Sequence, residues 1–227
     1  MRPLFANVGP FVLLFAFLYA AFGVASPFLP ALIEFKGVPA EQIGMMFGAA
    51  TAIRLLSAPL AGRIADQTHA VRATLAVCCG GAALTALAYL PASGFWPLLA
   101  VSLLHAFALA PTTNLADALA VVASRRQGFE YGWARGAGSA AFIISSIAAG
   151  FLVSAFEFGV VVVLQAILML TVPFALRLVP PVTVSNTTDA LSREGVLALV
   201  TLPVFRRPSS HRHEACSSAR PERQALW

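Results

Sequence analysis

The chain has 227 residues, of which 59% are hydrophobic and only 11% are charged, and its mean hydropathy is +0.80. Because a water-soluble domain or a disordered chain needs far more polar residues, this composition excludes both classes. Three cysteines are too few for a disulfide-dense secreted scaffold, and the net charge of +5 is modest. The composition therefore predicts a membrane protein.

Six stretches are apolar and long enough to cross a bilayer, for which a helix needs about 20 residues. In chain order, the predicted spans are Pro10–Ile33, Gln42–Ala65, Ala73–Leu90, Trp96–Val122, Trp133–Phe156 and Gly159–Val179. An alternative for the first span is a cleaved signal peptide, but its apolar run outlasts the roughly 7 to 15 residues of such a segment. The predicted fold class is therefore an all-α membrane protein, with a six-transmembrane-helix bundle over residues 1–180.

Basic residues gather at one end of these spans, as they do on the cytoplasmic side of membrane proteins. With the N-terminus inside, only Lys36 lies on the outer side. The residues at cytoplasmic ends are Arg2, Arg63, Arg72, Arg125, Arg126, Arg135 and Arg177. The pattern predicts a bacterial inner-membrane protein that crosses the membrane several times and has both termini in the cytoplasm.

Small residues and prolines lie within the spans. Gly44 and Gly48 have the spacing of closely packed helices, and we expect them to serve ordinary packing of the bundle rather than a specific dimer contact. Pro59, Pro111 and Pro173 are expected to kink their helices, which membrane bundles tolerate. Neither feature alone predicts transport.

Ionisable residues inside membrane spans cost about 2.5–3.5 kcal/mol on insertion scales, so each is a candidate functional residue. Arg54 falls near the middle of the second span. Asp117 in the fourth span and Arg135 at the start of the fifth can pair between antiparallel neighbours, and Asn114 shares a helix face with Asp117. Two interpretations stay open, a purely structural ion pair and a site for a polar substrate.

Other polar groups in the spans carry less information. We expect His105 to serve packing, and the Cys78-Cys79 pair to make an inert apolar contact. No phosphate-binding loop, metalloprotease motif or serine-hydrolase motif occurs in the sequence. The sequence therefore predicts a protein that is not an enzyme and that holds no metal ion or cofactor.

Two segments resemble a known family. The first reads Gly62-Arg-Ile-Ala-Asp66-Gln-Thr-His69-Ala-Val-Arg72. It resembles the gating motif between helices two and three of the major facilitator superfamily, which has Gly, three residues, Asp, then a basic residue, a Gly and further basic residues. Gly62, Asp66 and Arg72 match this pattern, whereas Gln67 and His69 depart from it.

The second segment reads Ser124-Arg-Arg-Gln-Gly-Phe-Glu-Tyr-Gly-Trp-Ala-Arg-Gly-Ala-Gly138. It resembles the helix four-to-five loop in the branch of the superfamily that contains the lactose and phenylpropionate permeases. Residues 111–120, with their Pro and Asp-Ala-Leu-Ala, are similar to the phenylpropionate permease type. The resemblance extends over residues 1–180, which would form the N-terminal half of the twelve-helix fold.

The resemblance implies a substrate site and partners. In this branch a helix-four carboxylate and a helix-five arginine hold the substrate, and Asp117 and Arg135 stand at the matching positions. Phe142 matches an aromatic residue that stacks on the substrate, and Arg54 and Asn114 complete the predicted set. The implied parent is a proton-coupled symporter of a small organic solute of the aromatic acid, sugar or nucleoside type, in contact with lipid and not with nucleic acid.

After the six spans, residues 181–205 resemble the cytoplasmic linker of the family and the start of its helix seven, which here is aborted because no apolar stretch follows. A polar tail over residues 206–227 has no helical period, and we expect it to be disordered. The abrupt change of composition near Arg207, where the resemblance implies helix seven, predicts a frameshift at that point. An alternative is a metal-binding tail through His211, His213 and Cys216.

Because transporters of this type rock one half against the other around a shared site, the sequence predicts a truncated transporter that is inactive alone. Its missing partner would be a C-terminal half. Two alternatives stay open, a genuine half-size transporter that works as a homodimer and a membrane scaffold that transports nothing.

Overall fold

The structure, a computed structural model, describes residues 4–179, and within them seven α-helices. They are α1 (Leu4–Ala25), α2 (Leu29–Phe35), α3 (Ala40–Gln67), α4 (Val71–Ala88), α5 (Phe95–Gln127), α6 (Tyr131–Phe156) and α7 (Gly159–Leu178). α1 and α2 together form the first of six segments that are long and apolar enough to cross a membrane, which confirms the predicted all-α bundle. The predicted linker over residues 181–205 and the tail over residues 206–227 lie outside the described residues.

The first span is broken where a continuous helix was predicted. α1 ends at Ala25 and α2 begins at Leu29, because Pro27 has no N–H to donate to the carbonyl of Gly23. The hydroxyl of Ser146 in α6 donates to that carbonyl instead, at 2.8 Å. Such substitution by a serine hydroxyl is how membrane bundles tolerate proline.

α5 extends five residues beyond the predicted end at Val122, to Gln127. Gly128 terminates it in the left-handed conformation, with φ of 71°, and its N–H donates to the carbonyl of Ser124 at 2.9 Å. Two arginines, Arg125 and Arg126, occupy the last turn, where a positive charge interacts favourably with the helix dipole. The helix therefore ends at a backbone signal rather than at the end of the apolar run.

The bundle packs through small residues. α1 lies against α6 and α7, α5 lies against α3 and α4, and α4 also contacts α7. Between them the core contains many alanines, among them Ala82, Ala83, Ala86, Ala116 and Ala120, all nearly inaccessible. Small side chains let helices approach closely in a bilayer, where no hydrophobic effect drives them together.

Lys36, the one basic residue predicted on the outer side, has a structural role at the end of α4. Its Nζ donates to the carbonyl oxygens of Leu90 and Ala92, each at 2.8 Å. Carbonyl groups at a helix end lack partners within the helix, so the ammonium group satisfies them. This contact accounts for a lysine at a position that the charge bias disfavours.

α3 and α6 leave most of their surface uncovered. In their apolar windows 22% and 6% of the residues are buried, against 44% in α7. A Cβ atom on Gly44 or Gly48 of α3 would meet no heavy atom of the described chain within 4 Å. The expectation that these glycines pack inside the bundle is therefore wrong, because they lie on its outer surface.

Candidate substrate site

The predicted pairing of Asp117 and Arg135 is present in the structure. Arg135 Nη1 lies 3.9 Å from Asp117 Oδ1, between α5 and α6, and both side chains are partly accessible. The hydroxyl of Tyr131 donates to the same carboxylate oxygen at 2.7 Å. Because Tyr131 precedes Arg135 by one helical turn, α6 presents a neutral donor and a cation to one carboxylate. We call these three residues the Asp117 cluster.

Aromatic rings from α1 lie beneath this cluster. The Arg135 guanidinium lies 4.5 Å from the centroid of the Tyr19 ring, a cation–π contact. Tyr19 in turn stacks on Phe15, with centroids 6.0 Å apart and planes 6° apart. Gly138 makes this possible, because a Cβ at that position would lie 2.9 Å from Tyr19 Cδ2. The close approach of α1 and α6 thus places two aromatic rings beside the charged pair.

The cluster has an unused hydrogen-bond donor. At 3.9 Å the ion pair is too long for a hydrogen bond. Arg135 Nη1 is buried and has no hydrogen-bond partner among the described residues. Buried polar atoms without partners are rare in proteins, and each requires an explanation. A carboxylate or hydroxyl group of a bound molecule would satisfy this donor.

Arg54 lies at the junction of two cavities. One, of about 330 Å³, is lined by Phe22, Ala25, Ser26, Leu29, Pro30, Phe47, Arg54, His105, Leu109 and Gln165. The other, of about 450 Å³, is lined by Phe22, Arg54, Leu55, Ala58, Pro59, Leu109, Ala110, Thr113 and Asn114. The structure thus brings Arg54 and Asn114 to one cavity wall, whereas Asp117 and Arg135 line neither cavity.

Phe142 does not join the other predicted residues on those walls. Its ring is half-buried on α6, and its carbonyl oxygen accepts a hydrogen bond from Ser145 Oγ at 3.0 Å. It lies seven residues after Arg135, which places it about two turns along nearly the same face of the helix. Its predicted role in stacking on a substrate stays a prediction.

A row of aromatic side chains on α1 connects the Asp117 cluster with the two cavities. Tyr19 contacts Phe22 with a centroid separation of 6.1 Å, and Phe22 lines both cavities. At the other end of the row, Phe15 meets Tyr131 edge-on at 6.1 Å. Positions 15, 19 and 22 share one helix face. Aromatic rings in contact with one another therefore extend from the Asp117 cluster to the lining of both cavities.

His105 is buried, as a packing role requires, but it also belongs to a polar network. Its Nδ1 lies 2.9 Å from Thr85 Oγ1, and its Nε2 lies 3.2 Å from Gln165 Nε2. Tyr89 meets the imidazole edge-on at 5.7 Å and donates to Ser102 Oγ at 3.1 Å. His105 therefore connects α4 with α7 and lines the 330 Å³ cavity.

The gating-motif residues occupy the connection between α3 and α4. Arg72 donates through Nη2 to the carbonyl of Leu176, in the last turn of α7. His69, which stands where the family pattern has Gly, adopts φ of 51°. Glycine adopts this left-handed conformation with less strain than a residue that has a side chain. Gly62 and Asp66 are half-buried at the end of α3.

Sequence reasoning missed Tyr131, Tyr19 and Gln165. Tyr131 lies in the quoted helix four-to-five segment, one turn before Arg135, so its spacing could have identified it. Tyr19 and Gln165 have no such signal, because their roles depend on contacts between distant helices. These two residues required the structure.

Comparisons with known proteins agree with this architecture. The sequence profile of the MFS_1 like family matches residues 11–212. The protein named "Probable 3-phenylpropionic acid transporter" of Escherichia coli (strain K12) is 29% identical over 153 residues, which cover 64% of this chain and 38% of that protein. The crystal structure of the nucleoside transporter NupG (D323A mutant) superposes with a TM-score of 0.74 at 17% identity.

The structural match covers 89% of this chain and 51% of the NupG chain, so the chain spans about half of that structure and less of the curated relative. At this identity the match shows the fold alone. The family profile covers most of the chain, including all six membrane-spanning segments almost completely. The chain is therefore a multi-pass membrane protein that belongs to the MFS_1 like family of major facilitator superfamily transporters.

Proposed function

We propose that the six-helix bundle is one half of a secondary transporter for a small organic acid with an aromatic or similar apolar body. In this proposal, Arg135 binds the polar end of the substrate while Tyr131 donates to Asp117, and the rings of Tyr19 and Phe15 contact the body of the substrate. The observation that carries the proposal is the unpartnered Arg135 Nη1 beside an ion pair 3.9 Å long. The printed name of the Escherichia coli relative supports the substrate class.

A purely structural ion pair would be expected to close to hydrogen-bond distance and satisfy both partners. Here Tyr131 already donates to Asp117, so the carboxylate is stabilised while a donor of Arg135 stays available. A substrate carboxylate that accepts from Arg135 would gain a charge-assisted hydrogen bond, worth about 1.5–3 kcal/mol. Arg54, Asn114 and Phe142 extend the proposed site along the aromatic row.

Transport requires a second bundle in this proposal, since alternating access moves one half against another around the substrate. The exposed faces of α3 and α6 support this, because both are apolar and largely uncovered in the bundle. The proposed partner is a C-terminal half, and residues that couple transport to a proton would lie there. We do not expect the six-helix bundle alone to accumulate substrate.

The proposed location is the cytoplasmic membrane of a bacterium, with α1 beginning on the cytoplasmic side. The clustering of seven arginines on that side supports this orientation. Lys36 on the other side makes contacts with Leu90 and Ala92 that explain its position.

A second candidate is a half-size transporter that works as a homodimer. On α3, Gly44 and Gly48 are exposed near the start beside Met45, and Leu60 is exposed nearer the end. On α6, which runs in the opposite direction, Gly136 is exposed near the start beside Trp133, and Phe151 is exposed nearer the end. A two-fold axis along the membrane normal would place α3 of one copy beside α6 of the other, with large residues opposite small ones.

Ligand binding tests the proposed site. We would titrate the full chain in lipid nanodiscs with 3-phenylpropionate and measure the heat of binding. Arg135→Gln removes the cation and is expected to weaken binding by about tenfold or more, which corresponds to about 1.4 kcal/mol. Arg63→Gln removes the same charge from a position that lines neither cavity, and it should leave affinity unchanged. Unchanged affinity in both Arg135→Gln and Asp117→Asn would contradict the proposed site.

Transport and assembly separate the two candidates. Proteoliposomes that contain the full chain should take up no more labelled substrate than empty vesicles if a separate C-terminal half is needed. Uptake driven by a pH gradient would instead favour the homodimer. In that case, Leu60→Cys in one copy and Gly136→Cys in another should form a disulfide in a background without Cys78, Cys79 and Cys216. Absence of both binding and uptake would favour a scaffold.

A further inference from the structure

The 330 Å³ cavity has the composition of a ligand site. Its polar lining residues include Arg54, His105 and Gln165, from α3, α5 and α7. Its apolar walls include Phe22 and Phe47. Sites for small molecules are mostly apolar, contain a few convergent polar groups and enclose about 300–1,000 Å³. The cavity fits this description, and the Asp117 cluster is not part of its lining.

The hydrogen bonds around His105 leave one atom of Gln165 unsatisfied. Thr85 has one hydroxyl proton and donates it to the carbonyl of Gly81 at 2.8 Å. Thr85 Oγ1 therefore accepts from His105 Nδ1 at 2.9 Å, and the other ring nitrogen, Nε2, accepts from Gln165 Nε2 at 3.2 Å. Gln165 Oε1 is left without a partner among the described residues, on a fully buried side chain.

Arg54 contributes the charge. On its own helix the neighbours one turn away on either side, Ala50 and Ser57, are buried against the bundle. Arg54 lies between these two positions, is exposed on the described bundle, and lines both cavities. Placing a guanidinium group at the middle of a membrane span costs free energy unless the group faces a cavity or pairs with an anion. An organic carboxylate is a suitable partner.

We propose that this cavity is a second ligand site, which binds a small organic acid that carries a hydroxyl or N–H group at the end remote from its carboxylate. The carboxylate accepts hydrogen bonds from Arg54, and the remote group donates to Gln165 Oε1. The apolar body lies between the walls formed by Phe22 and Phe47. The site shares Arg54 with the proposed function, whereas Gln165 and His105 belong only to this cavity, so the tests on Gln165 can fail without affecting the role proposed for Arg135.

Two probes test the required donor. The full chain in nanodiscs is titrated with 3-(4-hydroxyphenyl)propionate and with 3-phenylpropionate, which lacks the hydroxyl. We expect the hydroxylated acid to bind about tenfold more tightly to the wild type, because only it can donate to Gln165. In Gln165→Leu this preference should fall below about twofold. Arg54→Gln should weaken both probes by about tenfold or more and keep the preference.

Matched controls separate ligand contacts from structural effects. Thr85→Val breaks the same chain of hydrogen bonds at a residue that does not line the cavity, so it should retain the hydroxyl preference. Arg63→Gln, on the same helix as Arg54, should change neither affinity. If Gln165→Leu does not fold, Gln165→Met keeps the volume and tests the same loss of an acceptor.

Equal affinities of the wild type for the two probes would overturn the proposal, and would indicate that a water molecule satisfies Gln165. A preference that survives in Gln165→Leu or Gln165→Met would also overturn it. If the preference is lost only in Asp117→Asn, the hydroxyl binds at the Asp117 cluster and the second site is wrong. Absence of binding by both probes overturns it as well. Loss of affinity in Arg135→Gln alone bears on the proposed function and not on this site.

Discussion

Replacing Gly23 with alanine should weaken the contact between α1 and α6. A Cβ at this position would overlap the hydroxyl of Ser145 and the carbonyl oxygen of Phe142 in α6. The second of these is backbone, so the overlap cannot be relieved by a side-chain rotation. The two helices would have to separate at the point where Ser146 donates to the carbonyl of Gly23.

The magnitude combines two costs and one gain. Overpacking in a closely packed interior typically costs about 1–3 kcal/mol. Separation would also weaken the bond from Ser146, and hydrogen bonds between membrane helices average about 0.6 kcal/mol. Against this, an alanine in a helix is favoured over glycine by up to about 1 kcal/mol. We expect Gly23→Ala to lower the free energy of unfolding by about 1–2 kcal/mol.

The free energy of unfolding can be measured for the full chain in detergent micelles by titration with a denaturing detergent, with tryptophan fluorescence as the signal. Gly9→Ala, which is on the same helix, is the matched control. Its new Cβ would have no neighbouring heavy atom of the described residues within 4 Å. It should be neutral or slightly stabilising. Equal stability of Gly23→Ala and wild type would refute the inferred close contact, and equal destabilisation of both variants would show a general effect of alanine in α1.

Three further changes should be visible in the same titration. His69→Gly should raise the free energy of unfolding by about 1 kcal/mol by removing a side chain from the left-handed region, and no gain would argue against φ of 51° at this residue. Lys36→Met should cost about 1–2 kcal/mol because the carbonyls of Leu90 and Ala92 lose their donor, whereas Lys36→Arg should recover part of the loss. Ser146→Ala should cost about 0.6–2 kcal/mol, and Ser154→Ala, which removes an exposed hydroxyl bonded within α6, should cost less.

The sequence was sufficient to predict the six spans because the bilayer imposes a minimum apolar length on each helix. It was less informative about where helices end. The break before Leu29 depends on Pro27, and the extension of α5 to Gln127 depends on Gly128, so backbone chemistry decided both boundaries. Hydropathy averages over such single residues, which is why the predicted edges differed there.

The pairing of Asp117 with Arg135 was predictable for a topological reason. α5 and α6 are consecutive antiparallel helices with a short connection, so residues at similar depth must approach one another. By contrast, the contact of Tyr19 with Arg135 joins α1 to α6, and the contact of His105 with Gln165 joins α5 to α7. Such contacts depend on how each helix is rotated in the bundle, which the sequence pattern of an almost uniformly apolar span does not reveal.

The polar groups of this bundle have one physical feature in common. In an apolar solvent each one must be satisfied inside the protein or by a bound molecule. The carbonyl of Gly23 and the imidazole of His105 form hydrogen bonds within the bundle. Arg135 Nη1 and Gln165 Oε1 are also buried, but they have no hydrogen-bond partner among the described residues. Arg135 contacts the ring of Tyr19, and Gln165 lines the same cavity as Phe22, so each atom has an aromatic ring in its surroundings. A molecule that satisfies either of them must combine a polar group with an apolar body, which is the chemistry of an aromatic acid.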